Sequence, residues 1–166
     1  MAKRRNRRRQ REVSNFAFLA LNKYYLRATH QYWAYMATHR KIDEKYGAPD
    51  FHKARHTKDG FELSLYFDFW LANLFAVIEG YDKLGMEFPR TEQLLASPLL
   101  EKLRKYRHDT FHFNENYFDA DKQELAITPD GINWVRELQL TFGQEMKEEL
   151  ERRRSVMDAD KGLRPD

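Results

Sequence analysis

Six consecutive residues, Arg107-His108-Asp109-Thr110-Phe111-His112, carry a guanidinium, two imidazoles and a carboxylate, and Phe113-Asn114-Glu115-Asn116 follow directly. An arginine grips a phosphate through a planar fork of donors, and a histidine moves protons near neutral pH. Together they form a minimal kit for phosphodiester chemistry.

On a regular helix, at about 100° per residue, Arg107 and His112 lie roughly 140° apart and share no narrow face, whereas His108 and His112, four apart, do. Arg107 falls on the arc of Leu99, Leu100, Tyr106, Thr110 and Phe111. A guanidinium buried there unpaired is costly, so it calls for an acidic or phosphate partner. The spacing therefore predicts a helix that ends near His112 or a second subunit that completes the site. The structural alternative pairs Arg107 with Asp68 or Glu79 and leaves His112 as a helix-end cap.

A chain of 166 residues is long enough for one domain with a real core. The 42% hydrophobic fraction, with 12 Phe, 9 Tyr and 3 Trp, argues against disorder over most of its length. The absence of cysteine excludes disulfides, thiolate chemistry and cysteine zinc sites, which points to a cytoplasmic protein. Glu62, Asp68, Asn73 and Glu79 interrupt the most apolar stretch, so no membrane span is expected. The net charge of +3 conceals an asymmetry. Lys3, Arg4, Arg5, Arg7, Arg8, Arg9 and Arg11 stand in the first eleven residues without an acid, leaving 22 basic against 26 acidic residues in the body. Residues 1–12 are expected to form a disordered basic arm that attracts phosphate backbones, 13–155 a helical domain and 156–166 a charged flexible tail.

Helical spacing dominates the body, and the fold expected is all-α, an antiparallel bundle of four to five helices. Phe18, Leu21, Tyr25, Ala28, Tyr32, Tyr35 and His39 form one stripe from Ser14 to about Tyr46, with Leu19, Leu26, Trp33 and Met36 widening it. Gly47-Ala48-Pro49 closes that helix. Asp50 to Lys58 is a polar connection whose His52 and His56 lack a third metal ligand, so no metal or other cofactor is expected. Asp59-Gly60-Phe61-Glu62 reads as a capping box for a second helix, apolar almost all round and central to the bundle. A short helical turn spans Thr91 to Ala96, and Ser97-Pro98 launches the helix that carries the motif. Phe113 to Leu125 reads as an ordered loop packed by Phe113, Tyr117 and Phe118. Thr128-Pro129 caps a last helix with the stripe Ile132, Val135, Leu138, Phe142, Met146 and Leu150, which frays from Glu151.

Arg107, polar His108 and His112, set after two long helices and before one long amphipathic helix, resemble the signature of the HEPN superfamily, an arginine, a polar residue and a histidine a few residues on. The resemblance covers roughly residues 14–153. Where the family commonly carries Asn after the arginine, this chain has His108. The resemblance implies a four- or five-helix bundle that homodimerises and brings two motifs together. It also implies a metal-independent ribonuclease of the kind found in toxin–antitoxin, phage-defence and CRISPR-linked systems, with RNA and an antitoxin as partners. Other members keep the fold and bind nucleotides or partners without cleaving.

On chemical grounds His112 would exchange a proton with the ribose 2′-hydroxyl or the leaving oxygen, and Arg107 would hold the scissile phosphate and offset its developing charge. His108 would orient the substrate or relay a proton, and Asp109 would fix an imidazole tautomer. The arm would recruit the RNA. Removing residues 1–11 is expected to lower the slope of log affinity for single-stranded RNA against log salt, by up to about 0.7 for each phosphate that the arm neutralises. A salt titration in which the truncated and full-length chains bind alike contradicts that role.

Overall fold

The computed structural model describes residues 13–47, 54, 56–112, 115, 125 and 128–162. Among these residues the chain is all-helical, with α1 (Asn15–Tyr46), α2 (Lys58–Leu84), α3 (Pro89–Leu95), α4 (Leu99–Phe111) and α5 (Pro129–Gly162), and no strand. Residues 1–12 of the basic arm, His52, and Phe113, Tyr117 and Phe118 of the expected loop lie outside the described residues.

Each long helix begins at a hydroxyl. Ser14 Oγ accepts the Ala17 N–H at 3.2 Å, Thr57 Oγ1 that of Gly60 at 3.2 Å and Thr128 Oγ1 that of Gly131 at 3.1 Å. The cap of α2 is thus Thr57, not Asp59 of the expected capping box. Asp59 lies inside the first turn, 6% exposed, where Lys41 Nζ at 2.6 Å and Lys45 Nζ at 3.0 Å reach it from α1. Two cations one turn apart claim the carboxylate, and the threonine hydroxyl is left to cap. Gly47 (φ 77°) ends α1 and Gly85 (φ 66°) ends α2, both at backbone angles that side chains resist. The last helix does not fray at Glu151. It continues to Gly162, supported by Glu149 pairs to Arg152 and Arg153 at 2.7 Å and by the bond of Arg153 to the Val13 carbonyl at 2.7 Å.

The core forms around α2, whose Trp70, Leu71, Leu74 and Val77 are fully buried. Tyr32 and Tyr35 of α1 pack on Trp70 with ring centroids 4.7 and 5.7 Å apart, Leu103 enters from α4, and Val135 and Leu138 from α5. A second cluster joins Phe18, Tyr81, Phe88, Phe142 and Met146. The partners of α1 descend along both neighbours, since Tyr35 meets Phe67 and Lys45 meets Asp59 on α2, while Asn15 meets Arg153 and Met36 meets Arg136 on α5. Both pairings are antiparallel. An 18-residue window of α2 has mean hydropathy 1.4 with no more than two charged residues despite its polar interruptions, a length and composition that a membrane span shares with the core helix of a bundle. Half of that window is buried within the bundle.

Of the side chains expected to widen the α1 stripe, only Met36 is half-buried. Leu19, Leu26 and Trp33 are 52%, 57% and 62% exposed. They stand on the opposite side of the helix from the core.

Hydrogen bonds from Lys41 and Lys45 hold the Asp59 carboxyl below the usual carboxylate range. A depressed folded value gives stability that is complete above the ordinary value near 3.9 and fades as pH falls through the folded one. Wild type should therefore lose Tm faster than Asp59→Asn as pH drops from about 5 to about 2. Parallel Tm curves over that range rule the clamp out as a source of stability.

Candidate functional site

The fully buried Leu103 anchors α4 against the core, and Tyr106 holds it to α2. The Tyr106 hydroxyl donates to Asp68, and its ring meets Phe67 edge-on at 5.9 Å. Asp68 is therefore bound to the tyrosine, and the acid beside Arg107 is Glu79. Arg107 presents an Nη atom 3.7 Å from Glu79, and the two side chains remain 37% and 40% exposed. A contact of that length between partly solvated groups is a weak ion pair. The buried Nε of Arg107 has no hydrogen-bond acceptor among the described residues. The guanidinium is positioned, but its donor capacity is not filled.

His112 lies outside the regular helix. It is the C-cap of α4, with extended backbone (φ −123°, ψ 136°) and its N–H on the His108 carbonyl at 3.1 Å. The angular separation of a continuous helix no longer applies to it. Its imidazole packs on that of His108, centroids 4.5 Å apart and 32° between planes, and both residues are exposed. His108 Nδ1 lies 3.5 Å from Asp109 Oδ1. Phe111 is 55% exposed, with the Arg107 guanidinium 5.9 Å from its ring centre.

Between α2 and α4 lies an open cleft of about 400 Å³ lined by Phe75, Glu79, Arg104, Lys105, Arg107, His108 and Asp109. Three permanent cations face two carboxylates before the imidazole is counted. Of the four motif residues singled out from sequence, Arg107, His108 and Asp109 line the cleft, and His112 joins through its stack on His108. Arg104, Lys105 and Phe75 were not foreseen. Arg104 was recoverable, because it stands three and four residues before Arg107 and His108 and so shares their face. Among the described residues no three His, Asp or Glu side chains converge on a metal position.

No family model, curated protein or solved structure matches the chain. Its class rests on its own architecture, an all-α helical bundle with a basic cleft between its second and fourth helices.

If Glu79 partly neutralises Arg107, Glu79→Gln should tighten inorganic phosphate binding in the cleft several-fold, read from the His108 and His112 ring resonances. Unchanged or weaker binding means that the carboxylate does not restrain the guanidinium.

Proposed function

We propose that the chain is a metal-independent endoribonuclease of the HEPN type, acting as a toxin or defence effector, with its chemistry at Arg107, His108 and His112. The observation that carries this reading is the pair of imidazoles stacked at 4.5 Å beside a half-exposed arginine on an open cleft. RNA cleavage without a metal needs a group to take the 2′-hydroxyl proton, a group to give a proton to the departing 5′-oxygen and a cation for the phosphorane charge. One imidazole in the neutral form and one protonated meet the first two needs, and Arg107 meets the third. The 2′-oxygen bonds to phosphorus, the P–O5′ bond breaks, and a 2′,3′-cyclic phosphate and a 5′-hydroxyl remain. Asp109 favours one tautomer of His108 from 3.5 Å. On this reading RNA is the substrate, recruited by the basic arm, and a second copy of the chain and an antitoxin are its protein partners.

A second reading rests on the Glu79 contact. There Arg107 is a structural cation, and the chain is a non-catalytic nucleic-acid-binding or assembly module of the same architecture. Turnover separates the two. In the presence of EDTA, wild type should cut single-stranded RNA to cyclic-phosphate ends, and His112→Ala or Arg107→Ala should lower the rate by about 10²–10⁴-fold while RNA affinity changes far less. Equal rates in wild type and both variants, or no cleavage by wild type, end the enzymatic reading.

A further inference from the structure

One face of α1 is left uncovered by the bundle. Phe16, Leu19, Leu26 and Trp33 are 86%, 52%, 57% and 62% exposed, an unusual run of large apolar side chains on one helix. Leu19, Leu26 and Trp33 recur every seven residues. With Phe16, Lys23, His30 and Ala37 they follow steps of three and four, and all seven positions are exposed. A stripe of period 3.5 is the seam of a helix that packs alongside another helix. The core-facing stripe of the same helix, carrying Phe18, Leu21, Ala28 and Tyr35, is already filled. Two seams on one helix imply two sets of partners.

Charge identifies the second partner. From Asn15 to Ile42 the helix has no Asp or Glu, while Lys23, Arg27, His30 and Arg40 are exposed. Two copies pairing through this face would set like charges against each other, which is unfavourable. A nucleic-acid strand would stack on rings, but Leu19 and Leu26, which occupy two of the three repeating positions, have no aromatic face. An amphipathic helix with leucines on its seam and glutamates on its flanks satisfies both features. We infer that the outer face of α1 is a docking surface for an acidic amphipathic helix of another protein. This inference uses no residue of the proposed catalytic cleft and stands apart from it.

Trp33 reports on the surface directly, because Trp70 and Trp134 are buried and acrylamide quenching reads the exposed indole. The probe is a synthetic three-heptad peptide with leucine at the seam and glutamate at the flanks, with a scrambled peptide of the same composition as control. Poly(U) RNA and phosphatidylserine vesicles form parallel arms. The heptad peptide should shield Trp33, the scrambled one should not, and Leu19→Lys combined with Leu26→Lys should weaken binding at least tenfold although it adds positive charge. Because both leucines are exposed, this variant should keep the helical circular dichroism and Tm of wild type, which verifies that the fold is unchanged. Equal shielding by the scrambled peptide, shielding by RNA or vesicles in place of the heptad peptide, concentration-dependent shielding by the protein alone, or no shielding at all would each overturn the inference.

Discussion

The bundle depends on one buried amide. Gln139 of α5 is 1% exposed, and each end of its side chain is occupied by a different helix. Its Oε1 accepts from Trp70 Nε1 at 3.2 Å on α2, and its Nε2 donates to Thr29 Oγ1 at 2.9 Å on α1. The Tyr25 hydroxyl donates to the Gln139 carbonyl at 3.1 Å, and Thr29 in turn donates to the Tyr25 carbonyl at 3.0 Å. A buried polar group left without its partner costs about 1–3 kcal/mol, so a shift of any of the three helices by one residue would orphan several groups together. Apolar packing around Trp70 tolerates small slides, but this network admits one register. Gly143 reinforces it, since a Cβ there would lie 1.9 Å from the Tyr25 hydroxyl oxygen. The tyrosine occupies the space that a side chain would need.

A fixed α2 in turn decides where the reactive cluster stands. Asp68 and Phe67 hold Tyr106 of α4, and Glu79 further along α2 faces Arg107. Between these helices α3 is held from a distance. It has no side-chain cap of its own, and Glu145 of α5, 5% exposed, accepts the N–H groups of Arg90 at 3.1 Å and Thr91 at 2.9 Å. Trp134 Nε1 donates to the Leu94 carbonyl at 3.1 Å at the other end of the short helix. The Tyr81 hydroxyl, whose pKa burial pushes far up, accepts from the Phe88 N–H and donates to Glu92. The last helix therefore sets both the connection into α4 and the core beneath it. The cleft inherits its geometry from residues that never touch it.

Much of this was legible from residue spacing. The all-helical class, the central place of α2, the Thr128 cap and the stripe of α5 as far as Met146 all follow from local periodicity and capping chemistry, which act within a few residues, whereas Leu150 at the end of that stripe is 43% exposed. The departures arise where distant groups compete. Asp59 has the right type and spacing for a capping box, yet Lys41 and Lys45 are eighteen and fourteen residues away in the chain and close in space. Leu19, Leu26 and Trp33 extend an apolar arc in projection, but hydrophobicity alone does not say which side of a helix its neighbours occupy. In the cluster itself, residue types identified Arg107 and His112. A helix that ends near His112 and a shared face for His108 and His112 also follow from the spacing.

The order in which the chain is made gives the apolar character of α2 a further meaning. This helix is complete some forty-five residues before α5 begins at Pro129, and α5 supplies Val135, Leu138 and the Gln139 amide that seats Trp70. During that interval this apolar segment lacks the cover that α5 provides. Release from the ribosome before the last helix would leave that segment open to chaperones, bilayers or other copies of itself. The cover of the middle of the chain is thus completed only by α5, the last helix to be made.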